Sequence, residues 1–285
     1  MKKVTGAGVI ACMLFASGAQ AGITGVDGVS GGALVPWALL SSGPTVAITH
    51  LSTQNLYVNG VAGNTSFGDR IEVSFAHNML GDNATIPGNS NNSNNTDTVD
   101  NIGLKVKLND MGDVMPQFAL GLVGKRASGN LVNTLNTMGV SDTSTDFYAA
   151  ASKMMNFGGK NLLLNGVLRA TKANQMGLLG FGGGTALGAN NSYSIVPEVS
   201  AELFAADNVV VGAEYRAQPN NAGNNTGPSG QGLFYQSAAY DLHIAYIANK
   251  NLTWTVAYTS LGQVAQGLNG SNKQNGMLLQ AQASF

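Results

Sequence analysis

Cysteine is almost absent from this chain of 285 residues: Cys12 is the only one, and it lies near the N-terminus. A single thiol allows no intramolecular disulfide framework and no cysteine-rich metal site. Charge is scarce as well. Charged residues make up 10% of the chain, well under the ~25% usual for soluble domains. The 14 Lys+Arg nearly cancel the 15 Asp+Glu, which excludes a basic nucleic-acid footprint and a polybasic surface patch. Long apolar runs are missing too. Although 44% of residues are hydrophobic, nothing beyond the N-terminus approaches the ~18–20 uninterrupted apolar residues of a spanning helix. Low charge without long runs places apolar groups in alternation, which suits a barrel whose backbone hydrogen bonds close between strands.

Catalytic and metal-binding patterns are also lacking. His50, His77 and His243 stand far apart, with no partner at ligand spacing. His243 shares a strand face with Asp241, but no serine nucleophile is identifiable beside them. Gly180–Gly184 lacks the lysine of a phosphate loop, and the stretch 82–100 lacks the spaced ligands of a calcium loop. The Asn-x-Ser/Thr triplets follow from asparagine content. The expectation is a protein that is not an enzyme, with no catalytic residue, cofactor or metal.

What is present begins with Met1-Lys2-Lys3, a short apolar stretch to Phe15, and Ala19-Gln20-Ala21. A basic start, a short apolar core and small residues at −3 and −1 form a signal peptide, residues 1–21, cleaved before Gly22. Val9-Ile10-Ala11-Cys12 resembles a lipoprotein box, but only eight residues, two of them glycine, separate Lys3 from Cys12. Residues 22–43 follow, too glycine-rich for a helix and without period-two alternation, and Pro36 argues against a central strand. They read equally as a periplasmic lead-in or as a plug in a lumen.

Residues 44–285 are read as the barrel; period-two alternation, the mark of strands whose successive side chains face opposite ways, is clearest from residue 70 onward and weakest in the first pair. Ile71, Val73 and Phe75 oppose Glu72, Ser74 and Ala76; Ile102, Leu104, Val106 and Leu108 oppose Lys105 and Lys107. Phe118, Leu120 and Leu122 oppose Gln117, Ala119 and Gly121, and Leu162, Leu164 and Leu168 oppose Asn165 and Arg169. Later segments repeat the pattern with Glu198, Ser200 and Glu202, then Glu214 and Arg216, then Asp241 and His243, then Thr253, Thr255 and Thr259. A soluble sandwich would carry charge on its outer face. Here one face is apolar and the other small, neutral or sparsely charged.

Tight links at Phe67–Arg70, Asp110–Asp113, Asn156–Lys160, Ala205–Asn208 and Asn249–Asn251 alternate with long ones at 80–100, 127–143, 173–191, 218–232 and 262–274. Short periplasmic turns and long external loops are the signature of an outer-membrane barrel. An N-terminus on the periplasmic side requires two strands within residues 45–66, joined by an outer turn near Ser52–Asn55. The fold predicted is all-β: a closed antiparallel transmembrane barrel of about 12 strands in the bacterial outer membrane. Met277, Leu279, Ala281, Ala283 and Phe285 share the lipid face of the last strand. Its terminal Phe285 is the expected signal for the outer-membrane assembly machinery, and outer-membrane lipid is the other expected partner.

A charge facing lipid at mid-bilayer costs ~2–4 kcal/mol for Arg or Lys, so the strand charges belong inside. Glu72, Lys105, Lys107, Lys125, Arg169, Glu198, Glu202, Glu214, Arg216 and Asp241 are the predicted luminal cluster. It reads either as a self-neutralising network or as a constriction selecting a small polar solute. Counting around Ala205–Asn208 puts Glu198 nearly opposite Glu214, with Arg216 one diagonal away. The function expected is a narrow passive pore; a closed structural or surface-interaction barrel is the alternative, and an outer-membrane enzyme the third reading.

The chain resembles a family of uncharacterised proteobacterial outer-membrane proteins, numbered 3034 among the domains of unknown function. The resemblance lies in Gly31–Leu40 (GGALVPWALL), in Gly68–Ala76, in Ile102–Leu108 and in Met115-Pro116-Gln117. It implies the barrel and carries no established activity or functional residues.

Overall fold

In a computed structural model, the structure describes residues 22–82, 96–184, 190–221, 235–264 and 273–285. The expected signal peptide with Cys12, the asparagine tract Asn89–Asn95 and Phe234 lie outside the described residues. A short hairpin, β1 (Ile23–Thr24) and β2 (Ser30–Gly31), comes first. Twelve strands then close a barrel. The first six are β3 (Thr45–Thr53), β4 (Leu56–Phe67), β5 (Ile71–Asp82), β6 (Asp97–Lys107), β7 (Gln117–Ser128) and β8 (Thr143–Phe157). The others are β9 (Lys160–Thr171), β10 (Ser194–Ala206), β11 (Val209–Arg216), β12 (Ala239–Asn249), β13 (Leu252–Ser260) and β14 (Asn275–Ser284). Each strand pairs antiparallel with its sequence neighbours, and β14 closes on β3 with Gln280 opposite Thr49.

The alternation has a direct physical cause: the two faces of the wall meet different surroundings. Ile48, Ile102, Ile195, Leu168 and Leu242 are all more than half exposed on the outside, while Glu72, Lys105, Glu198 and Asp241 inside are at most 1% exposed. Burying a large aliphatic side chain is worth ~1.5–3 kcal/mol, so an outer face this apolar is made for lipid. No described helix is long and apolar enough to cross a membrane; the strands do that here. His50 and His77 point outward, bonded to Asn59 and Asp100 at 2.7 Å each.

The expected first pair is present, with its turn at residues 54–55 between β3 and β4. Between β8 and β9, Gly158 and Gly159 both have positive φ (58° and 80°). That is the pairing a two-residue hairpin needs, because its twist matches the strands only in the left-handed region. The link near Asp110–Asp113 is longer than predicted and runs over residues 108–116. Asn109 folds it, donating to the carbonyls of Asp110 and Pro116 and accepting from the Phe118 N–H at 2.9 Å.

Two long links have structure of their own. Residues 127–143 include a helix, α1 (Asn130–Thr137), with Val132 and Leu135 buried. The Asp97 carboxylate accepts from the Leu131 N–H at 3.1 Å, supplying the cap that Gly129 lacks. The link after β9 was predicted as an external loop, but residues 173–182 are buried in the barrel mouth. Phe181 pairs with Ser141 and Ala173 in isolated bridges, and the Met176 carbonyl accepts from Lys125 Nζ at 3.1 Å.

Candidate functional site: a charged lumen threaded by the N-terminal segment

Residues 22–38 are buried almost throughout, and their partners are inward-facing side chains of the barrel. A chain segment buried there cannot leave its backbone groups unpaired, and the wall supplies the partners. Gln282 accepts from the Thr24 N–H at 2.6 Å, while Gln280 donates to the Thr24 carbonyl at 2.8 Å. Asn78 and Asn64 donate to the carbonyls of Val26 and Gly28, each at 2.8 Å. Asn165 donates to the Pro36 carbonyl, Gln117 to that of Ala38, and the Ala38 N–H donates to Ser152 Oγ. Uncharged polar residues on the inward faces of several strands therefore serve as docking points.

The glycines of this segment answer to space. A Cβ on Gly32 would lie 1.6 Å from Glu214 Oε1, and one on Gly28 would lie 2.3 Å from the Phe75 carbonyl. The segment touches the wall too closely for side chains at these points, which also explains why it shows no periodicity.

The charged groups form three clusters. In the first, Glu72 and Lys105 are direct cross-strand partners with Nζ 3.1 Å from Oε1. Both then turn to the segment. Lys105 donates to the carbonyls of Ser30, Trp37 and Leu39, and Glu72 accepts from the N–H groups of Ser30 and Ser41.

The second cluster centres on Asp27, the only charged residue among residues 22–43. Its carboxylate meets Lys125 Nζ at 2.7 Å, Arg216 Nη1 at 3.0 Å and Arg169 Nη1 at 3.3 Å. Asp146 faces Lys125 at 3.1 Å and Arg169 at 3.4 Å; Glu198 takes Arg169 Nε at 2.5 Å and Arg216 Nε at 3.3 Å. The Tyr148 ring lies 5.3 Å from the Arg169 guanidinium carbon, a cation–π contact. These ionic side chains are all buried.

The third cluster is Glu202, Glu214, Asp241 and His243. His243 Nδ1 is 2.8 Å from Asp241 Oδ1, and its Nε2 is 2.9 Å from Glu202 Oε2. The ring can donate from both nitrogens only as the imidazolium. His243 reaches Glu202 across Gly212, where a Cβ would lie 1.9 Å from Glu202 Oε2 and 2.3 Å from His243 Nε2. Glu214 lies opposite Asp241 and accepts from the Leu34 N–H at 2.7 Å. Glu214, Asp241 and His243 bring ligand-capable atoms within 4.8 Å of one another. Both ring nitrogens of His243 already have a carboxylate partner within this cluster.

Nine of the ten predicted luminal residues join these clusters. Lys107 does not. It sits at the last position of β6 and pairs with the exposed Asp110 at 2.6 Å. There the Lys107 ammonium, hydrogen-bonded to Asp110, holds that carboxyl below its usual range. The register count also needs correction: Glu198 lies directly opposite Arg216, and Ser200 faces Glu214. An irregularity between Phe204 and Ala206 shifts the pairing, as an extra residue in one strand does. Sequence reasoning missed Asp27, Asp146 and the ionic role of His243. The isolation of Asp27 in an otherwise uncharged segment was the available signal for the first.

No curated protein sequence matches the chain. Among solved structures, the barrel is similar to one described as KdgM porin in complex with disordered oligogalacturonate. The TM-score is 0.51 and the identity 10%, over 85% of this chain and 99% of that one. It is also similar to the Acinetobacter baumannii outer membrane protein Omp33, at TM-score 0.44 and 11% identity, over 85% and 98%. The fold is that of a porin-like outer-membrane barrel. Residues 20–282 match the model of the family described as protein of unknown function DUF3034, and the chain belongs to that family.

Proposed function

We propose that the protein is a narrow passive pore of the bacterial outer membrane whose resting lumen is closed by residues 22–43. One observation carries the reading: the N-terminal segment is threaded inside a porin-like wall and held by polar contacts rather than by apolar packing alone. Each neutral hydrogen bond contributes a net of only ~0.5–1.5 kcal/mol and can be exchanged for water or a polar solute, which leaves the Asp27 ionic contacts as the strongest hold on the segment. The chain reaches the membrane through cleavage of residues 1–21 and assembly signalled by the last strand and the Phe285 that follows it. Its solute is small and polar, and its reading as an enzyme is set aside because the charged groups are committed to one another.

The test is planar-bilayer conductance of refolded protein with and without residues 22–43. The segment-free barrel should conduct steadily and the intact one only in rare openings. A second reading, a closed structural barrel, draws on the internal pairing of Lys105 with Glu72 and of Arg216 with Glu198. Equal, negligible current from both proteins would favour it.

A further inference from the structure

We infer that the lumen contains a carboxylate-binding site, formed by Lys125, Arg169 and Arg216, which Asp27 occupies at rest and a small carboxylate anion can take. The inference rests on the plugged-pore reading for the site's role in passage, but not for its existence.

The charge count carries it. On the wall itself, three cations (Lys125, Arg169, Arg216) face two carboxylates, Asp146 and Glu198. One positive charge is left over, and Asp27 from the N-terminal segment is what balances it. All three cations are buried, with side chains at most 3% exposed. A buried charge left unpaired is costly, so withdrawal of the segment creates a demand for another anion at this spot.

The geometry selects the kind of anion. Asp27 Oδ1 takes Lys125, and Oδ2 takes both arginines. Two oxygens about a carboxylate's width apart satisfy both directions, whereas a spherical halide satisfies one. On its other side Asp27 borders a mostly apolar cavity of about 30 Å³, lined by Val26, Leu34, Val99, Asn101 and Met176 among others, roughly the space of two waters. Since Asp27 is the segment's only charge, an incoming carboxylate competes with the segment for a single ionic anchor. The solute class that follows is small monocarboxylates.

The test is chemical rescue in the refolded chain. Asp27→Ala should melt below wild type in chloride. Formate at equal ionic strength should restore stability saturably, shifting the folding equilibrium about 100-fold at a hundred times its dissociation constant. Wild type should not distinguish formate from chloride. If the variant does not refold in chloride, the yield of heat-modifiable barrel in formate becomes the readout. Adding Arg216→Ala should abolish the formate effect. Equal behaviour of the two anions on Asp27→Ala, equal formate stabilisation of wild type, or full rescue of the double variant would each overturn the site. None of these measurements involves current, so they stand apart from any failure to detect a pore.

Discussion

The barrel wall and the segments inside it are built from similar residues yet follow different rules. Each strand of the wall separates two media, lipid and a polar interior, and its sequence therefore alternates: Ile71, Val73 and Phe75 out, Glu72 and Ser74 in. Residues 22–38 and 173–182 are buried almost throughout within the barrel and do not alternate. Their sequences are shaped by close approach, as at Gly28 and Gly32, and by the need to pair each backbone group. Periodicity thus reports a boundary between media. Where no boundary exists, specificity passes to single residues such as Asp27.

Substitutions can sharpen that contrast. The largest loss is expected inside, at Arg169→Ala, which strands Glu198, Asp146 and Asp27 around a missing cation. Breaking a buried ionic network from one side costs ~3–5 kcal/mol, to be read from urea unfolding of the vesicle-inserted barrel. A loss no greater than that of Ile195→Ala, on the lipid face, would dissolve the distinction between faces. Next, Leu242→Arg places a charge on that lipid face and should cost ~2–4 kcal/mol; a neutral outcome would mean this position does not face the bilayer core.

Glycines offer a finer comparison. Gly212→Ala drives a methyl group between Glu202 and His243 and should cost ~1–3 kcal/mol by stranding a buried polar group. Gly166→Ala, with no atom within 4 Å of its added methyl, should be nearly neutral. Equal effects would show that the Glu202–His243 contact contributes nothing. The smallest effect belongs to Lys107→Ala, whose partner Asp110 is solvent-exposed; exposed pairs are worth ~0–1 kcal/mol. A larger loss in the same unfolding assay would return Lys107 to the luminal network from which its geometry removes it.

The wall was legible because its signal is repeated. Strand faces and the turns at Gly68–Arg70 and Gly158–Gly159 follow from local pattern, and the even strand number from that pattern together with a periplasmic N-terminus. The ionic partners were not legible, for three physical reasons. The irregularity near Phe204–Ala206 changes register without changing alternation, so Arg216 moved opposite Glu198 unannounced. Asp146 belongs to a strand whose outward face mixes Phe147 and Met155 with small residues, which blurs its period. Asp27 acts across a contact between distant parts of the chain, and no local window contains Lys125, Arg169 and Arg216 together. The inward course of residues 173–182 was hidden likewise, because glycine-rich composition is shared by exposed loops and tightly packed ones.

Closure of the pore by the N-terminal segment can be switched with a reversible tether. Thr24 Oγ1 and Thr45 Oγ1 are 3.0 Å apart, one on the segment and the other on the first barrel strand. In a chain starting at Gly22, which has no natural cysteine, Thr24→Cys with Thr45→Cys would tie the segment in place. Single-channel current should be absent from the oxidised protein, and openings should appear in the same bilayer once the disulfide is reduced. Identical current before and after reduction, matching that of the barrel lacking residues 22–43, would contradict the account.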